Sequence, residues 1–330
     1  MSTVHPDDPP PGGRPDGTSA DGTSADGIPA DGLPPDDIPA DDIPAADSRS
    51  GPTVLRMLLG TQLRRLREDA KITPDQAGYE IRGSRSKISR LEHGRVSFKH
   101  RDVADLLTLY GVTDEQKRAG LLKLAEQANE QGWWSRFSDI LPDWFEAYLG
   151  LEAAAALIRS FELQFVHGLF QTEAYARAVT VLGSRASSLE EIDRRVSLRM
   201  KRQDLLASGD PPRVWSVMDE AALRRPVGGS EVMRGQLERL LEVAGLPGVT
   251  LQVVPFRRGG HAGAGGSFTV LRFREADLPD VAYIEQLTSA LYLEKRSDVD
   301  HYLEVMNRLS AQALTPADTT RFLREIIRET

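Results

Sequence analysis

The chain has 330 residues, enough for two domains, and contains no cysteine, which excludes disulfide bonds and thiolate metal sites. Its formal net charge of −8 at pH 7 argues against nucleic-acid binding only if the charge is averaged over the whole chain. The first residues lack the apolar core of a secretory signal, and no apolar run approaches the ~20 residues that span a bilayer. We therefore expect a cytoplasmic protein without a membrane segment.

Residues 1–52 form an acidic, low-complexity tail in which units such as Ala25-Asp26-Gly27-Ile28-Pro29 repeat along the chain. The tail holds eleven Asp and two Arg, a net charge of −9. Such a composition buries too little apolar area to offset the entropy of ordering, so we predict a disordered tail. Two interpretations of the tail remain. It is either an acidic segment that competes with DNA for a basic module or an expanded repeat without a function.

Residues 53–111 are basic, with twelve Lys or Arg against seven Asp or Glu. Leucines at helical spacing from Leu55 to Leu66 predict a first helix, and an apolar stripe between Phe98 and Tyr110 predicts a later one. Local charge is what attracts phosphates, because distant charges are screened beyond ~10 Å at ordinary salt. The region is predicted to be a DNA-binding bundle of four or five helices.

Two short helices joined by a tight turn are predicted in the middle of this bundle. Thr73 suits an N-cap and Pro74 the first helical position, so the first short helix runs to about Ile81. Gly83 is expected to break this helix, and Ser84 to cap the next one. This arrangement is typical of a helix-turn-helix.

The second short helix, Ser84 to Glu92, carries cations on its exposed face, because Ile88 and Leu91 bury the opposite side. A recognition helix meets base edges with its N-terminal residues, and Arg pairs with guanine through two hydrogen bonds. The predicted DNA-binding residues are Ser84, Arg85, Ser86, Lys87, Ser89, Arg90, Arg95 and Lys99. We assign Arg85, Ser86 and Arg90 to bases, and Lys87, Arg95 and Lys99 to phosphates. Phosphate contacts are the alternative for Arg85 and Arg90, and a bundle with a merely solvated cationic face is the alternative for the module.

The module resembles the Cro/repressor-type (XRE-like) helix-turn-helix family over roughly sixty residues. The resemblance rests on Leu63-Arg64-Arg65-Leu66-Arg67, on Ile72-Thr73 and on the run from Ser84 to Gly94. It implies a sequence-specific transcription regulator, base contacts from Arg85, Ser86 and Arg90, and a structural ion pair between Arg67 and Glu92.

One position departs from the family pattern. Pro74 stands where the family usually has a Gln that contacts phosphate, so this contact is not implied for the present chain. We expect a symmetric homodimer on a pseudo-palindromic DNA operator, because one such module buries too little surface for tight specific binding.

Residues 112–132 predict a connecting helix, and residues 133–330 a mixed α/β or α+β domain large enough for its own core. Helical patterns cover 143–150, 172–182, 189–206, 230–244, 299–314 and 316–327. Strand patterns cover 157–165, 214–218, 250–254, 267–273, 281–287 and 291–294. The predicted fold class is therefore mixed: an all-α helix-turn-helix bundle plus an α+β C-terminal domain, preceded by the disordered acidic tail.

The C-terminal domain shows no strong catalytic or metal-binding pattern. Carboxylates near predicted strand ends that suit acid–base chemistry are Glu162, Asp219, Glu220 and Glu285, with helix capping or solvated surface as the alternative. His167 and His261 are too isolated in the sequence to predict a metal site. We expect no enzyme activity, no cofactor and no metal.

Two further segments invite a ligand interpretation. The glycine-rich run 259–266 precedes a strand rather than opening a helix, so it predicts a mobile loop or lid instead of a phosphate cradle. Trp133 and Trp134 suit stacking on a ligand or, as aromatic residues more often do, a place in a core or an interface.

This half of the chain resembles the C-terminal domain that accompanies such helix-turn-helix modules in many actinobacterial regulators. The matching segments are 132–134, 150–153, 168–177, 219–224, 236–238, 253–256 and 283–285. One departure is His167, where the family commonly has Pro before Gly-Leu.

Members of that family are often encoded beside a small partner protein, in a pairing similar to toxin–antitoxin systems. The resemblance implies a regulator whose C-terminal domain dimerises, binds a partner protein or senses a ligand. The alternatives are an antitoxin-like protein whose main role is to bind a small partner protein, with DNA binding for autoregulation, and an enzyme tethered to DNA.

Overall fold

The computed structural model describes residues 51–183, 188–275 and 278–330. Of the predicted acidic tail, only Gly51 and Pro52 belong to these ranges, and Pro52 already opens the first helix. All described residues belong to one compact unit, Ile43–Thr330. Within them, no helix has the length and apolarity needed to cross a membrane.

The N-terminal region is helical, as predicted. Its helices are α1 (Pro52–Asp69), α2 (Pro74–Glu80), α3 (Arg85–Glu92), α4 (His100–Leu109) and α5 (Glu115–Ala128). Their apolar stripes meet in one core, where Leu59, Leu63 and Leu107 are at most 1% exposed. This burial explains why short helices with modest intrinsic stability persist, since tertiary packing supplies most of a helix's stability.

The first four helices end in the same way, with a left-handed residue just after the helix. These residues are Lys71, Arg82, Gly94 and Gly111. After α2, for example, the N–H of Gly83 donates to the carbonyl of Gly78 across 2.8 Å, which satisfies a terminal carbonyl. The sequence predicted that Gly83 would end α2. The left-handed residue that turns the chain there is instead Arg82.

In the part of the chain that the structure describes, the C-terminal region combines helices with one six-stranded sheet. Its helices are α6 (Asp143–Ala154), α7 (Glu173–Gly183), α8 (Leu189–Arg202), α9 (Glu220–Arg224), α10 (Ser230–Val243), α11 (Arg296–Gln312) and α12 (Pro316–Glu329). Its strands are β1 (Leu157–Glu162), β2 (Arg213–Asp219), β3 (Val249–Val254), β4 (Phe268–Arg272), β5 (Val281–Glu285) and β6 (Ala290–Leu293). The predicted α+β class is confirmed.

The six strands lie in the order β3-β2-β1-β4-β5-β6. Strands β1, β2 and β3 are parallel, whereas β4 is antiparallel to β1 and β5 and β6 continue the antiparallel half. The chain leaves β1 first toward β2 and later returns to its other side as β4. In an open sheet, a crevice forms at such a switch point, outside the carboxyl end of the strand.

Helices cover both faces of the sheet. Phe161, Val217 and Phe268 form one core cluster with residues of α11. The opposite face joins a larger cluster that also contains Leu59 of α1 and Tyr148 of α6. The two halves of the chain therefore share a continuous apolar core.

Candidate nucleic-acid interface

Glycines hold α3 close to α1. A Cβ atom at Gly60 would lie 2.6 Å from the carbonyl oxygens of Leu91 and Glu92, and one at Gly94 would lie 2.6 Å from the backbone nitrogen of Met57. Gly94 also has a φ of 63°, which glycine adopts without strain. This close backbone packing fixes the inner side of α3 and leaves its other side at the surface.

Both short helices are capped as the sequence predicted. Thr73 caps α2 together with Gln76, whose side chain accepts from the Thr73 N–H across 2.8 Å. Ser84 caps α3 by accepting from the Lys87 N–H across 3.2 Å. The Ser84 hydroxyl is thus occupied by the cap of α3. The Gln76 side chain, two residues after Pro74, is likewise occupied by the cap of α2.

The outward face of α3 gathers four of the predicted DNA-binding residues. Arg85, Ser86, Ser89 and Arg90 are exposed. On the opposite side Ile88 and Leu91 are 1% and 2% exposed. Because residues four apart lie on one side of a helix, Arg85 with Ser89 and Ser86 with Arg90 form one contiguous polar surface. This surface can donate hydrogen bonds to base edges or phosphates.

The three lysine and arginine side chains assigned to phosphates differ in their surroundings. The Lys87 ammonium lies 2.5 Å from Asp102 Oδ2, and the Arg95 guanidinium lies 3.4 Å from Glu294 Oε1. Lys99 is exposed and has no ion-pair partner within the described ranges. The structure therefore leaves Lys99 available at the surface, while Lys87 and Arg95 already have partners.

The Arg67–Glu92 pair implied by the family resemblance is present. Nε and a terminal nitrogen of Arg67 donate to the two Glu92 oxygens across 2.6 and 3.0 Å, and both side chains are buried. Arg67 also donates to the carbonyl of Ile72 across 3.0 Å. The pair ties the end of α1 to the end of α3, and its hydrogen bonds raise the pKa of Arg67.

Three residues that the sequence analysis did not single out border the same surface. Tyr79 is 87% exposed, and Arg82 is exposed at the turn between the two short helices. Asp75 lies 4.0 Å from Arg85. A shallow depression between α2 and α3 is lined by Asp75, Tyr79, Gly83, Ser84, Arg85, Ser86 and Ser89. The sequence signal that could have identified Tyr79 is its position outside the apolar stripe of α2, where an aromatic residue is left exposed.

Two of the candidate acid–base residues serve as caps and structural anchors. Asp219 caps α9 by accepting from the Ala221 N–H across 2.8 Å, and its other oxygen lies 3.2 Å from His261 Nε2. Glu220 accepts from the Phe256 N–H across 2.8 Å and from Arg224. These contacts agree with the capping alternative.

The other two candidates, Glu162 and Glu285, meet in a cleft on one face of the sheet. Asp219 and its partner His261 lie on the opposite face, where His261 contacts Phe161. The structure therefore brings together two of the four carboxylates. His167 and His261 are not part of any cluster that could hold a metal ion among the described residues.

The remaining ligand candidates are the two tryptophans and the glycine-rich run. Trp134 is buried and makes an edge contact with Trp133, which is 36% exposed. The glycine-rich run 259–266 contains no helix, and its Ala262 N–H donates to Gln312 Oε1 across 3.1 Å. The burial of Trp134 agrees with the core alternative, and the run 259–266 forms a loop, while its role as a lid stays a prediction.

Two family models match the chain. A domain described as "Domain of unknown function (DUF5753)" matches residues 145–325, and a helix-turn-helix domain matches residues 58–120. The first match covers more than half of the chain and includes all six strands. The second includes α2, α3 and the whole candidate interface. No curated protein and no solved structure is significantly similar to the chain.

Proposed function

Since the chain belongs to the DUF5753 family and carries a helix-turn-helix domain ahead of that domain, we propose that it is a sequence-specific DNA-binding transcription regulator. The observation that carries the proposal is α3, a capped helix with Arg85, Ser86, Ser89 and Arg90 on its exposed face. A helix of this kind fits the major groove, where arginine distinguishes guanine from the other bases.

The proposal assigns base contacts to Arg85, Ser86 and Arg90, with Ser89 between them, and phosphate contacts to Lys99. Lys87 and Arg95 reach phosphate only by giving up Asp102 and Glu294, so we assign them a smaller share of the affinity. The net charge of +5 over residues 53–111 supports attraction to the DNA backbone.

Several finer assignments belong to the same proposal. The regulator is XRE-like and of the actinobacterial type, and it binds a pseudo-palindromic operator as a homodimer. The dimer is supported by the small area that a single α3 can bury against DNA. We propose a regulator without enzyme activity, because Asp219 caps α9 and Glu220 is held by the Phe256 N–H and Arg224.

The first experiment measures fluorescence anisotropy of the purified chain on tiled DNA fragments from upstream of its own coding sequence, over a salt series. We expect tight, salt-dependent binding to one fragment and loss of that preference in the Arg85→Ala/Arg90→Ala variant. The control is Arg324→Ala, an exposed arginine on α12. Equal, weak binding to every fragment would contradict sequence-specific regulation.

A second candidate is the antitoxin-like protein, whose C-terminal domain holds a small partner protein. It is favoured by the exposed apolar side chains of Val181, Leu182 and Leu287, which are 52%, 63% and 101% exposed. Exposed apolar residues grouped in this way are typical of interaction sites. Co-purification of a small protein, lost on changing Val181 and Leu182 to Ser, would favour this candidate.

A further inference from the structure

A cleft of about 1320 Å³ opens at the carboxyl end of β1, next to β4 and β5. This is the point at which the parallel half of the sheet gives way to the antiparallel half. Helices α6, α7 and α8 supply the facing walls. Clefts at such switch points are where open sheets bind small molecules.

Two acidic side chains line this cleft without an ion pair among the described residues, and Arg199 and Arg202 attract them only from a longer distance. Glu162 ends β1 and Glu285 ends β5, so a single strand, β4, separates them. Glu162 makes no hydrogen bond or ion pair with any residue that the structure describes, although it is half-buried. Glu285 accepts one hydrogen bond, from the Tyr283 hydroxyl across 3.0 Å. Glu285 is exposed, and together the two side chains supply oxygen acceptors for an ammonium group.

The same cleft contains Arg199, which Glu285 attracts electrostatically without forming an ion pair. The Arg199 guanidinium donates to the neutral amide oxygen of Gln171 across 2.9 Å and forms no ion pair in the described part of the chain. Arg202, one turn further along α8, is different, because it donates two hydrogen bonds to Glu152 across 2.8 and 2.7 Å. The Arg202 charge is thus neutralised, and Arg199 is left for an anion.

His167 adds a buried donor at the cleft wall. Its side chain is 4% exposed, and its Nδ1 accepts from the Leu169 N–H across 3.3 Å. Burial lowers the pKa of His167 to about 4, so the ring is neutral and its proton resides on Nε2. Nε2 has no hydrogen-bond partner among the described residues, which leaves this N–H available to a ligand in the cleft.

Aromatic rings line the cleft beside the carboxylates. Tyr148 lies 4.3 Å from Tyr283 between ring centroids, and Phe145 stacks on Tyr148 at 5.7 Å. Aromatic faces attract cations and also pack against apolar groups. On the opposite wall, Val179 and Leu182 of α7 are apolar.

We propose that this cleft binds a small zwitterion of the amino-acid type, with its amine between Glu162 and Glu285 and its carboxylate on Arg199. The amine then lies beside two acidic side chains and the carboxylate beside a guanidinium, and the aromatic and apolar walls receive the side chain. A guanidinium matches a carboxylate through two parallel hydrogen bonds.

Ligand binding would displace a proton from the cleft. Burial and the neighbouring Glu285 raise the pKa of Glu162 to about 8, and Arg202 opposes this only partly. In the empty cleft Glu162 therefore carries a proton at pH 7. An ammonium group favours the ionised carboxylate, so binding releases up to one proton.

The regulatory role of this ligand site rests on the proposed function of the protein as a DNA-binding regulator. Helix α6 lines the cleft with Phe145 and Tyr148 and packs its Gly150 against Thr53 of α1. The ligand site therefore lies one helix away from the helix that supports α3. Binding of the ligand itself is measurable without DNA.

The experiment is isothermal titration calorimetry of the full chain with each of the twenty standard L-amino acids, at pH 7 in two buffers of different ionisation enthalpy. We expect saturable binding of at least one amino acid, with a buffer-dependent heat that reports proton release. The Glu162→Gln variant should lose about tenfold in affinity or more and also lose the proton release. Arg199→Lys should weaken the binding of the amino acid but not the binding of its amide, which lacks the carboxylate.

Matched controls separate the site from general effects. Glu238→Gln and Arg324→Lys make the same chemical changes on α10 and α12, outside the cleft, and should leave the affinity unchanged. The proposal is overturned if no amino acid binds, if binding survives Glu162→Gln, or if the amide or the deaminated acid binds as well as the amino acid. Ligand binding by a protein that does not bind DNA would contradict the regulator function and leave this site standing.

Discussion

The buried Arg67–Glu92 pair illustrates how single residues support the DNA-binding helix. Both side chains are below a tenth exposed, and the pair joins α1 to α3 through two hydrogen bonds. Removing one partner of a buried pair leaves an uncompensated charge, whereas replacing both by apolar residues costs far less. The pair therefore stabilises the orientation of α3 without contacting DNA.

Glu92→Leu is expected to lower the free energy of unfolding by about 3–5 kcal/mol, because it leaves the Arg67 guanidinium buried alone. The Arg67→Met/Glu92→Leu double variant should lose much less. Urea unfolding of the four proteins of this cycle measures the coupling. Additive losses in the double variant would show that the two side chains do not depend on each other.

Glu162 makes stability depend on pH. Its folded-state pKa of about 8 exceeds the ordinary value of 4.5, so the folded state loses stability as pH rises between these values. Glu162→Gln removes the ionisation, and the variant should match the parent near pH 4.

At pH 9 the Glu162→Gln variant should be more stable than the parent by roughly 1–3 kcal/mol. The pKa difference alone corresponds to about 5 kcal/mol, at about 1.4 kcal/mol per unit, and solvent at this half-buried carboxyl group reduces it. Urea midpoints at pH 5 and 9 test this, with Glu238→Gln as the matched control. A gain of equal size at both pH values would disprove the link to ionisation.

At the scale of elements, the turn after α2 carries a conformational cost. Arg82 has a φ of 50°, and Lys71 after α1 has a φ of 57°. A left-handed residue other than glycine costs roughly 1–2 kcal/mol. Both positions nevertheless complete hydrogen bonds that satisfy the last carbonyls of their helices.

Lys71→Gly and Arg82→Gly are each expected to stabilise the protein by about 0.5–1 kcal/mol, after the larger chain entropy of glycine in the unfolded state is subtracted. Thermal unfolding monitors the gain, and Lys71→Ala, which keeps the strain, is the control. If Arg82→Gly also weakens DNA binding while Lys71→Gly does not, Arg82 contributes to the interface.

The exposed face of α3 separates base contacts from phosphate contacts. Arg85→Ala should flatten the preference among DNA sequences and cost ~1–3 kcal/mol on the best fragment. Lys99→Ala should weaken binding to all sequences alike and reduce the slope of affinity against salt. Anisotropy on the best fragment and on a scrambled one distinguishes the two effects. If Arg85→Ala leaves discrimination intact, α3 does not read bases through Arg85.

At the scale of the whole molecule, the helical module and the sheet domain are joined by close contacts. A Cβ atom at Gly150 of α6 would lie 2.5 Å from the Thr53 Cβ of α1. Arg95 after α3 pairs with Glu294 after β6, and the Tyr292 hydroxyl donates to the carbonyl of Trp144. We therefore expect the described residues to unfold in one cooperative transition.

Gly150→Ala should destabilise the protein by about 1–3 kcal/mol, because the added methyl group forces α1 and α6 apart. Gly235→Ala on α10 is the matched control, since nothing lies within 4 Å of its Cβ position. That change should be neutral or stabilising by up to ~1 kcal/mol. Calorimetry of both variants measures the difference, and an unchanged Gly150→Ala protein would show that the contact between the halves is loose.

Much of the fold was predictable because its signals are local. Thr73 and Ser84 each cap the helix that the sequence assigned to them. The alternating segments around 214–218 and 250–254 became β2 and β3. The five-residue helix α9 was missed, because it is too short to show a periodic pattern.

The residue pattern by itself determined the helical N-terminal region, the outward face of α3 and the α+β class of the second half, since caps and apolar periodicity act over a few neighbouring residues. The tertiary structure alone decided the partners of the charged side chains. Lys87 forms an ion pair with Asp102, and Arg95 pairs with Glu294, 199 positions further along the chain. Glu162 and Glu285 line the same cleft because the strand order places only β4 between β1 and β5. The physical reason is that charge pairing and desolvation depend on distance in space, which strand order and helix packing set and sequence spacing does not.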